Sequence, residues 1–165
     1  MSVRPVDIRR GVLGDLAAMV ALDRSSESAP HWSEQAYRVA LLGQDGRCLF
    51  VADDSGVCGF VVGSVVAGAA ELESVVVTME RRRRGLGRQL VKAVMAWART
   101  AAAQSISLEV RASSLGAIAL YQSLGFRAVA RRKGYYAMPT EDALIMRQEW
   151  AEPTQYRAQP QPRLH

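Results

Sequence analysis

At 165 residues and 18.0 kDa the chain has the length of one domain, with room for a sizeable core. Hydrophobic residues at 49% and charged residues at 22% are ordinary for a globular protein and exclude global disorder. The net charge of +5 invites a nucleic-acid partner, yet taking away the four charges of Arg81, Arg82, Arg83 and Arg84 lowers it to +1. The basicity is therefore aimed at one small place, whereas a DNA-binding face spreads its cations over several phosphates.

In chain order, Val3–Arg9 reads as a first strand that Pro5 confines to an edge or a strand start. Asp15 precedes Leu16, Met19, Val20 and Leu22, the spacing of an amphipathic helix running toward Ser28. Ser33 is a good N-cap for a second helix, with Trp32 and Tyr37 at the two positions of a hydrophobic staple. Arg47–Asp53 and Val57–Ala67 form a hairpin about Asp54-Ser55-Gly56. Ala70–Thr78 then alternates, with Glu71, Glu73, Val75 and Val77 assigned to one face and Leu72, Ser74 and Val76 to the other.

A helix follows from Leu86, with Leu90, Val94 and Trp97 at helical spacing and Arg88, Lys92 and Arg99 outward. Ser105–Arg111 alternates again, with Ile106, Leu108 and Val110 on one face and Glu109 on the other. Ser113 or Ser114 caps a short helix that stops at Gly125. Phe126–Arg132 is a sixth strand, Lys133–Pro139 a loop and Ala143–Glu149 the last strand. Beyond Glu152 the prolines and glutamines give a tail expected to be disordered, so residues 1–150 form the domain and 151–165 the tail.

The first five residues lack the apolar core of a signal peptide, and no stretch is long enough to span a membrane, so the cytoplasm is the expected compartment. Cys48 and Cys58 have no metal-type spacing and, although the hairpin brings their strands together, are expected to be buried free thiols. No metal is expected.

The most informative stretch is Val75–Val94, a β-branched run, then four arginines, then Gly85-Leu86-Gly87 at the start of a helix. Glycines allow positive φ and close ligand approach, and the first helical turn leaves its amides unpaired, so the stretch is an anion cradle suited to a pyrophosphate. It is not a Walker loop, since Arg88-Gln89 follow Gly87. It is not the dinucleotide fingerprint either, since position 90 is Leu90.

Arg83-Arg84-Gly85-Leu86-Gly87-Arg88 resembles the acetyl-CoA pyrophosphate loop of the GNAT acyltransferases. Leu108–Ser114 and Ala119–Phe126, with Trp32-Ser33-Glu34, Tyr135-Tyr136 and Glu141–Met146, are similar to the Rim-type ribosomal-protein-alanine N-acetyltransferases within that superfamily. The resemblance covers about residues 6 to 150. It implies an α/β fold with a mixed central sheet of six to seven strands, flanked by four helices, and acetyl-CoA wedged between the splayed Glu71–Thr78 and Ser105–Arg111 strands. Backbone groups of Val75, Val76 and Val77 would meet the pantetheine arm, and Arg83, Arg84, Gly85, Leu86, Gly87 and Arg88 the pyrophosphate. Ser114 stands where the family commonly has an asparagine against the donor.

The resemblance places Glu109 as general base and Tyr121 as general acid, and implies a protein N-terminus as acceptor, such as a ribosomal protein. Besides Ser114, two departures leave questions open. Glu73, on the opposing strand where this family is usually apolar, is a rival base; and His31 replaces a common proline before Trp32. Trp32 is a staple residue on its own pattern, but its loop borders the acceptor in this fold. Alternatives are transfer to a lysine or small amine, or a non-enzymatic acyl-CoA sensor or nucleic-acid-binding module. A monomer or weak dimer is expected, with no specific nucleic acid and no membrane among its partners.

Overall fold

The computed structural model describes residues 4–150. Its strands are β1 Asp7–Arg10, β2 Arg47–Asp53, β3 Val57–Val66, β4 Ala69–Val77, β5 Ser105–Arg111, β6 Arg127–Ala137 and β7 Thr140–Glu149. Its helices are α1 Leu16–Ser25, α2 Glu34–Leu42, α3 Leu86–Thr100 and α4 Leu115–Ser123, with 3-10 turns at Leu13–Asp15 and Met79–Arg81. The strands join one sheet in the order β1-β2-β3-β4-β5-β7-β6, in which only β4 and β5 pair in parallel. The described residues form the expected α/β class, with seven strands against the six to seven expected and with the four expected helices. Residues 1–3 and the tail assigned to 151–165 lie outside the described residues.

Two apolar layers hold the sheet. On one face α3 lays Leu86, Leu90, Val91 and Val94 against Val61, Leu72, Ile106 and Leu108. Its approach is close because β3 carries Gly63 there: a Cβ would stand 2.5 Å from Cγ1 of Val94. On the other face α1 and α2 bring Leu16, Met19, Leu22, Tyr37 and Ala40 to Leu49, Val51, Phe60 and Val76. Ser33 caps α2 as expected, its Oγ accepting from Ala36 N at 3.1 Å, and the Trp32 and Tyr37 rings meet at 5.3 Å. Cys48 and Cys58 are buried free thiols, both pushed up by burial.

The structure corrects three local expectations. The strand assignment of β4 holds but its faces do not, because the register shifts at Val62/Gly63: Ser74 pairs with Val62, Leu72 with Gly63, and Glu73 is the extra residue of a bulge. The bulge breaks the alternation, so Val75 and Val77 pack with Leu72 on the α3 side while Val76 goes to the α1–α2 side. The stretch 133–139, expected as a loop, continues β6 to Ala137 and turns only at Met138-Pro139. Tyr135 and Tyr136 favour strands, and a register irregularity between Arg132 and Tyr136 absorbs Gly134 at φ 61°. Helix α1 stops at Ser25 rather than Ser28, where a turn closed by Ala29 N to Ser26 O takes over.

Candidate active site

The site exists because β4 and β5 part company. They pair at Ala69/Ser105, Ala70/Ile106 and Glu71/Ser107 and no further. The bulge at Glu73 follows at once, turning β4 away from β5, so the backbone of residues 74–77 keeps its β3 partners and faces an opening on its other edge. Two adjoining cavities fill that opening and share Ala117 of α4.

The first, about 710 Å³, lies at the α3 N-terminus and is lined by Val77, Arg81, Arg82, Arg83, Gly85, Leu86, Gly87 and Arg88 against Gly116, Ala117 and Leu120. Gly85 has φ 78° and no side chain caps the helix, so the amides of the first turn remain available. A Cβ at Gly85 would meet nothing within 4 Å, so this glycine serves its backbone conformation and leaves the loop open. The arginines divide into distinct roles. Arg81 ion-pairs with Asp54, Arg82 Nε donates to Val77 O at 3.2 Å, and Arg88 Nη1 donates to Ser123 Oγ at 2.7 Å. Of the residues expected here, Arg84 does not line the cavity, and the Val76 side chain is in the opposite core layer. Arg81 and Arg82 line it as well; the sequence pattern takes the four-arginine run as one cationic patch for the phosphates but singles out only Arg83 and Arg84 within it. Exposed amides, a cationic rim and an apolar floor fit a ligand with a polyanionic head and an extended arm, as acetyl-CoA has.

The second cavity, about 520 Å³, holds Glu109 and Tyr121 together with Ser114 and Val75. Residues 27–30, between α1 and α2, wall one side and Tyr135 and Tyr136 of β6 the other. Glu109 is half-buried on β5. It does not pair with its neighbour Arg111; Arg132 Nη1 lies 3.4 Å from its Oε1, and Tyr135 stands beside it on the same wall of the cavity. The neighbouring Glu109 carboxylate, as a hydrogen-bond acceptor and as a charge, is the main reason the Tyr135 phenol is raised above its ordinary range. Tyr121, on α4, packs edge-on to Phe126 with centroids 5.8 Å apart, and burial pushes its phenol up to about 12.

Glu71 and Glu73 enter the same cavity from β4. Glu73 has both oxygens engaged by Arg47, from Nε at 2.7 Å and Nη2 at 3.1 Å. The Glu71 carboxyl is held above the usual range, first by partial desolvation in the cleft and then by the charges of Glu73 and Glu109. Arg111 Nη1 contacts Glu141 at 3.4 Å and its guanidinium lies 4.1 Å over the Tyr136 ring; Glu141 also accepts Ser113 N at 2.6 Å, tying β7 to the start of α4. Ser114 is the α4 N-cap position, but its hydroxyl makes no capping bond. Arg47, Arg132 and Glu71 were missed by sequence reasoning, since each reaches the site from a strand whose neighbours only the sheet order defines. Among the described residues no group of three or more His, Cys, Asp or Glu side chains is arranged to hold a metal, and no helix is long and apolar enough to cross a membrane.

A mixed sheet split between its two parallel strands, with an anion-binding helix start on one side and a carboxylate and a phenol on the other, defines an acyl-CoA-dependent transferase. The model of the acetyltransferase (GNAT) family matches residues 16–126. The chain is 36% identical over 137 residues to the ribosomal protein bS18-alanine N-acetyltransferase of Salmonella typhimurium, spanning 80% of this chain and 89% of the relative. Among solved structures, that of the ribosomal-protein-S18-alanine N-acetyltransferase from Escherichia coli superposes with a TM-score of 0.81 at 29% identity, covering 92% of this chain and 98% of that one. The fold is also that of Arabidopsis thaliana NAA60 in complex with acetyl-CoA, with a TM-score of 0.80 at 18% identity over 88% of this chain and 98% of that one. The chain belongs to the GNAT family of acetyltransferases and, within it, to the ribosomal-protein-alanine N-acetyltransferases.

Proposed function

We propose that the chain transfers the acetyl group of acetyl-CoA to the α-amine of a protein N-terminus, with an alanine-starting ribosomal protein as the acceptor that its relatives' names point to. Glu109 is the base and Tyr121 the acid. The observation that carries this reading is that the two side chains face one cavity at the mouth of the β4–β5 split, next to the cavity with the anion-binding loop.

Acetyl-CoA brings an activated acetyl group and a thiol leaving group; the chain must position it and move two protons. Arg83, Gly85, Leu86, Gly87 and Arg88 hold the phosphate end, and the free edge of β4 at Val75–Val77 lies along the arm. An α-amine of pKa about 7.7–8.0 is roughly one-tenth neutral at pH 7, whereas a lysine near pKa 10.4 is neutral less than about 0.1% of the time. The α-amine thus asks less of its base. As the amide bond forms, Glu109 takes the proton from the amine, directly or through one water, and the thiolate set free by C–S cleavage takes the phenolic proton of Tyr121. The buried phenol, raised to about 12, carries its proton at neutral pH, as a donor must. Glu73 is the less suitable base because Arg47 occupies both of its oxygens, while the exposed Arg132 lies against one oxygen of Glu109, at 3.4 Å.

The test is incubation of the chain with acetyl-CoA and peptides differing only in a free or blocked N-terminus, read by mass spectrometry. Acetylation at the α-amine that Glu109→Gln lowers by about 10²–10⁴, with acetyl-CoA affinity retained, is the expected result. Labelling of lysines or small amines with free N-termini untouched would reject the acceptor.

A further inference from the structure

Glu73 is the bulge residue of β4, and its carboxylate is turned to the face that α1 and α2 cover. The two oxygens accept the forked N–H groups of Arg47, which reaches across from β2, passing over β3. Arg47 also ion-pairs with Asp45, and its guanidinium lies 5.1 Å from the centre of the Trp32 ring. Trp32 is held at its other end too, where Arg24 Nη2 donates to its carbonyl at 2.6 Å. Arg24 and His31 in turn contact the fully buried Asp23 at 3.3 and 3.2 Å, and Tyr37 donates its hydroxyl to the same carboxylate.

We propose that Glu73 is a positioning residue for the acceptor: through Arg47 and Trp32 it fixes the segment between α1 and α2, whose residues 27–30 wall the acceptor cavity. The physical case rests on order. A bidentate arginine–carboxylate pair fixes the plane of the guanidinium, and a fixed guanidinium over an indole fixes the ring as a cation–π partner. Trp32 is the residue just before the Ser33 cap, so holding its ring and carbonyl sets the angle at which 27–33 enters α2. Without Glu73 the guanidinium keeps Asp45 as its one carboxylate partner, and its plane over the indole is no longer fixed by the bidentate pair. The bulge thus does two things: it opens the cleft, and it delivers the carboxylate that ties the cleft's outer wall to the central strand. The role assigned to the wall rests on the acceptor site proposed above; the clamp itself does not.

The experiment has two arms on the full chain. Hydrogen exchange of residues 26–33, measured without substrate, is expected to quicken about tenfold in Glu73→Leu and in Arg47→Met, with no further gain in the double variant. Glu73→Gln, which keeps shape and one acceptor, falls between wild type and Glu73→Leu. In steady-state kinetics with an N-terminal peptide, the acceptor KM rises about fivefold while kcat and the acetyl-CoA KM stay within about twofold. Exchange unchanged in these variants overturns the clamp. So does a kcat lowered a hundredfold or more at unchanged acceptor KM, which would make Glu73 a catalytic residue. If the wild type acetylates no peptide N-terminus, the acceptor reading fails and the exchange arm still decides the clamp.

Discussion

Tyr121→Phe removes one oxygen atom and leaves the ring edge-on to Phe126, so it isolates the proton-donor role from packing. The phenol is raised from 10.0 to about 12, which at 1.36 kcal/mol per unit disfavours the phenolate by about 2.7 kcal/mol and leaves roughly one part in 10⁵ ionised at pH 7. A donor so fully protonated supplies its proton across the whole working range. Two consequences follow. Single-turnover acetylation of an N-terminal peptide falls in the variant by about 10²–10⁴, the usual worth of a placed acid, or about 2.7–5.4 kcal/mol of barrier. In the wild type the rate climbs as the acceptor amine loses its proton near pH 8 and does not decline again by about pH 10. Rates would be followed by release of free thiol between pH 6 and 10, with acetyl-CoA affinity measured in parallel by calorimetry and expected to be unchanged. A variant within about threefold of the wild-type rate over that range would refute the argument, because no loss so small is compatible with a missing general acid.

Gly63→Ala is expected to lower stability by about 1–3 kcal/mol, since its Cβ would stand 2.5 Å from Val94 Cγ1; thermal unfolding should show a fall of about 2–4 °C per kcal/mol. Gly85→Ala meets no steric obstacle but must hold φ 78°, so about 1–2 kcal/mol of strain should appear as weakened acetyl-CoA binding in a titration, more than as a lower Tm. Arg9 Nη1 and Nη2 each donate to Asp15 at 2.9 Å, and this holds the Asp15 carboxyl below its ordinary 3.8. A depressed carboxyl stabilises the fold above its unfolded pKa, and that contribution is lost as pH falls through the folded value. Arg9→Met should therefore cost about 1–3 kcal/mol at pH 7, by leaving the buried Asp15 without its partner, and the gap in Tm from wild type should close below about pH 3.8.

Much of the fold is legible in the sequence because it rests on local rules. Alternation over Ser105–Arg111 puts Glu109 on the face opposite Leu108 and Val110, Ser33 caps α2, and glycines past an arginine run mark the α3 start; none of these needs a distant residue to be understood. Likewise the family resemblance rests on contiguous motifs, and the donor loop is itself contiguous. The β4 faces and the 133–139 stretch went the other way for one physical reason. A bulge or a hairpin extension is stabilised by its partner strand, and no pattern within Ala70–Thr78 or Lys133–Pro139 carries that partner's register. The acceptor side is likewise a product of tertiary structure: Arg132 and Tyr135 reach Glu109, and Arg47 reaches Glu73, only after the sheet order is set. The sequence by itself determined the domain class and the loop for the donor's phosphates, because an unpaired helix start with cations beside it is an electrostatic property of a few adjacent residues. Only the tertiary structure decided how each carboxylate is held, with Arg47 from β2 on both oxygens of Glu73 and Arg132 from β6 against one oxygen of Glu109, because those contacts exist only once the sheet order brings the strands together.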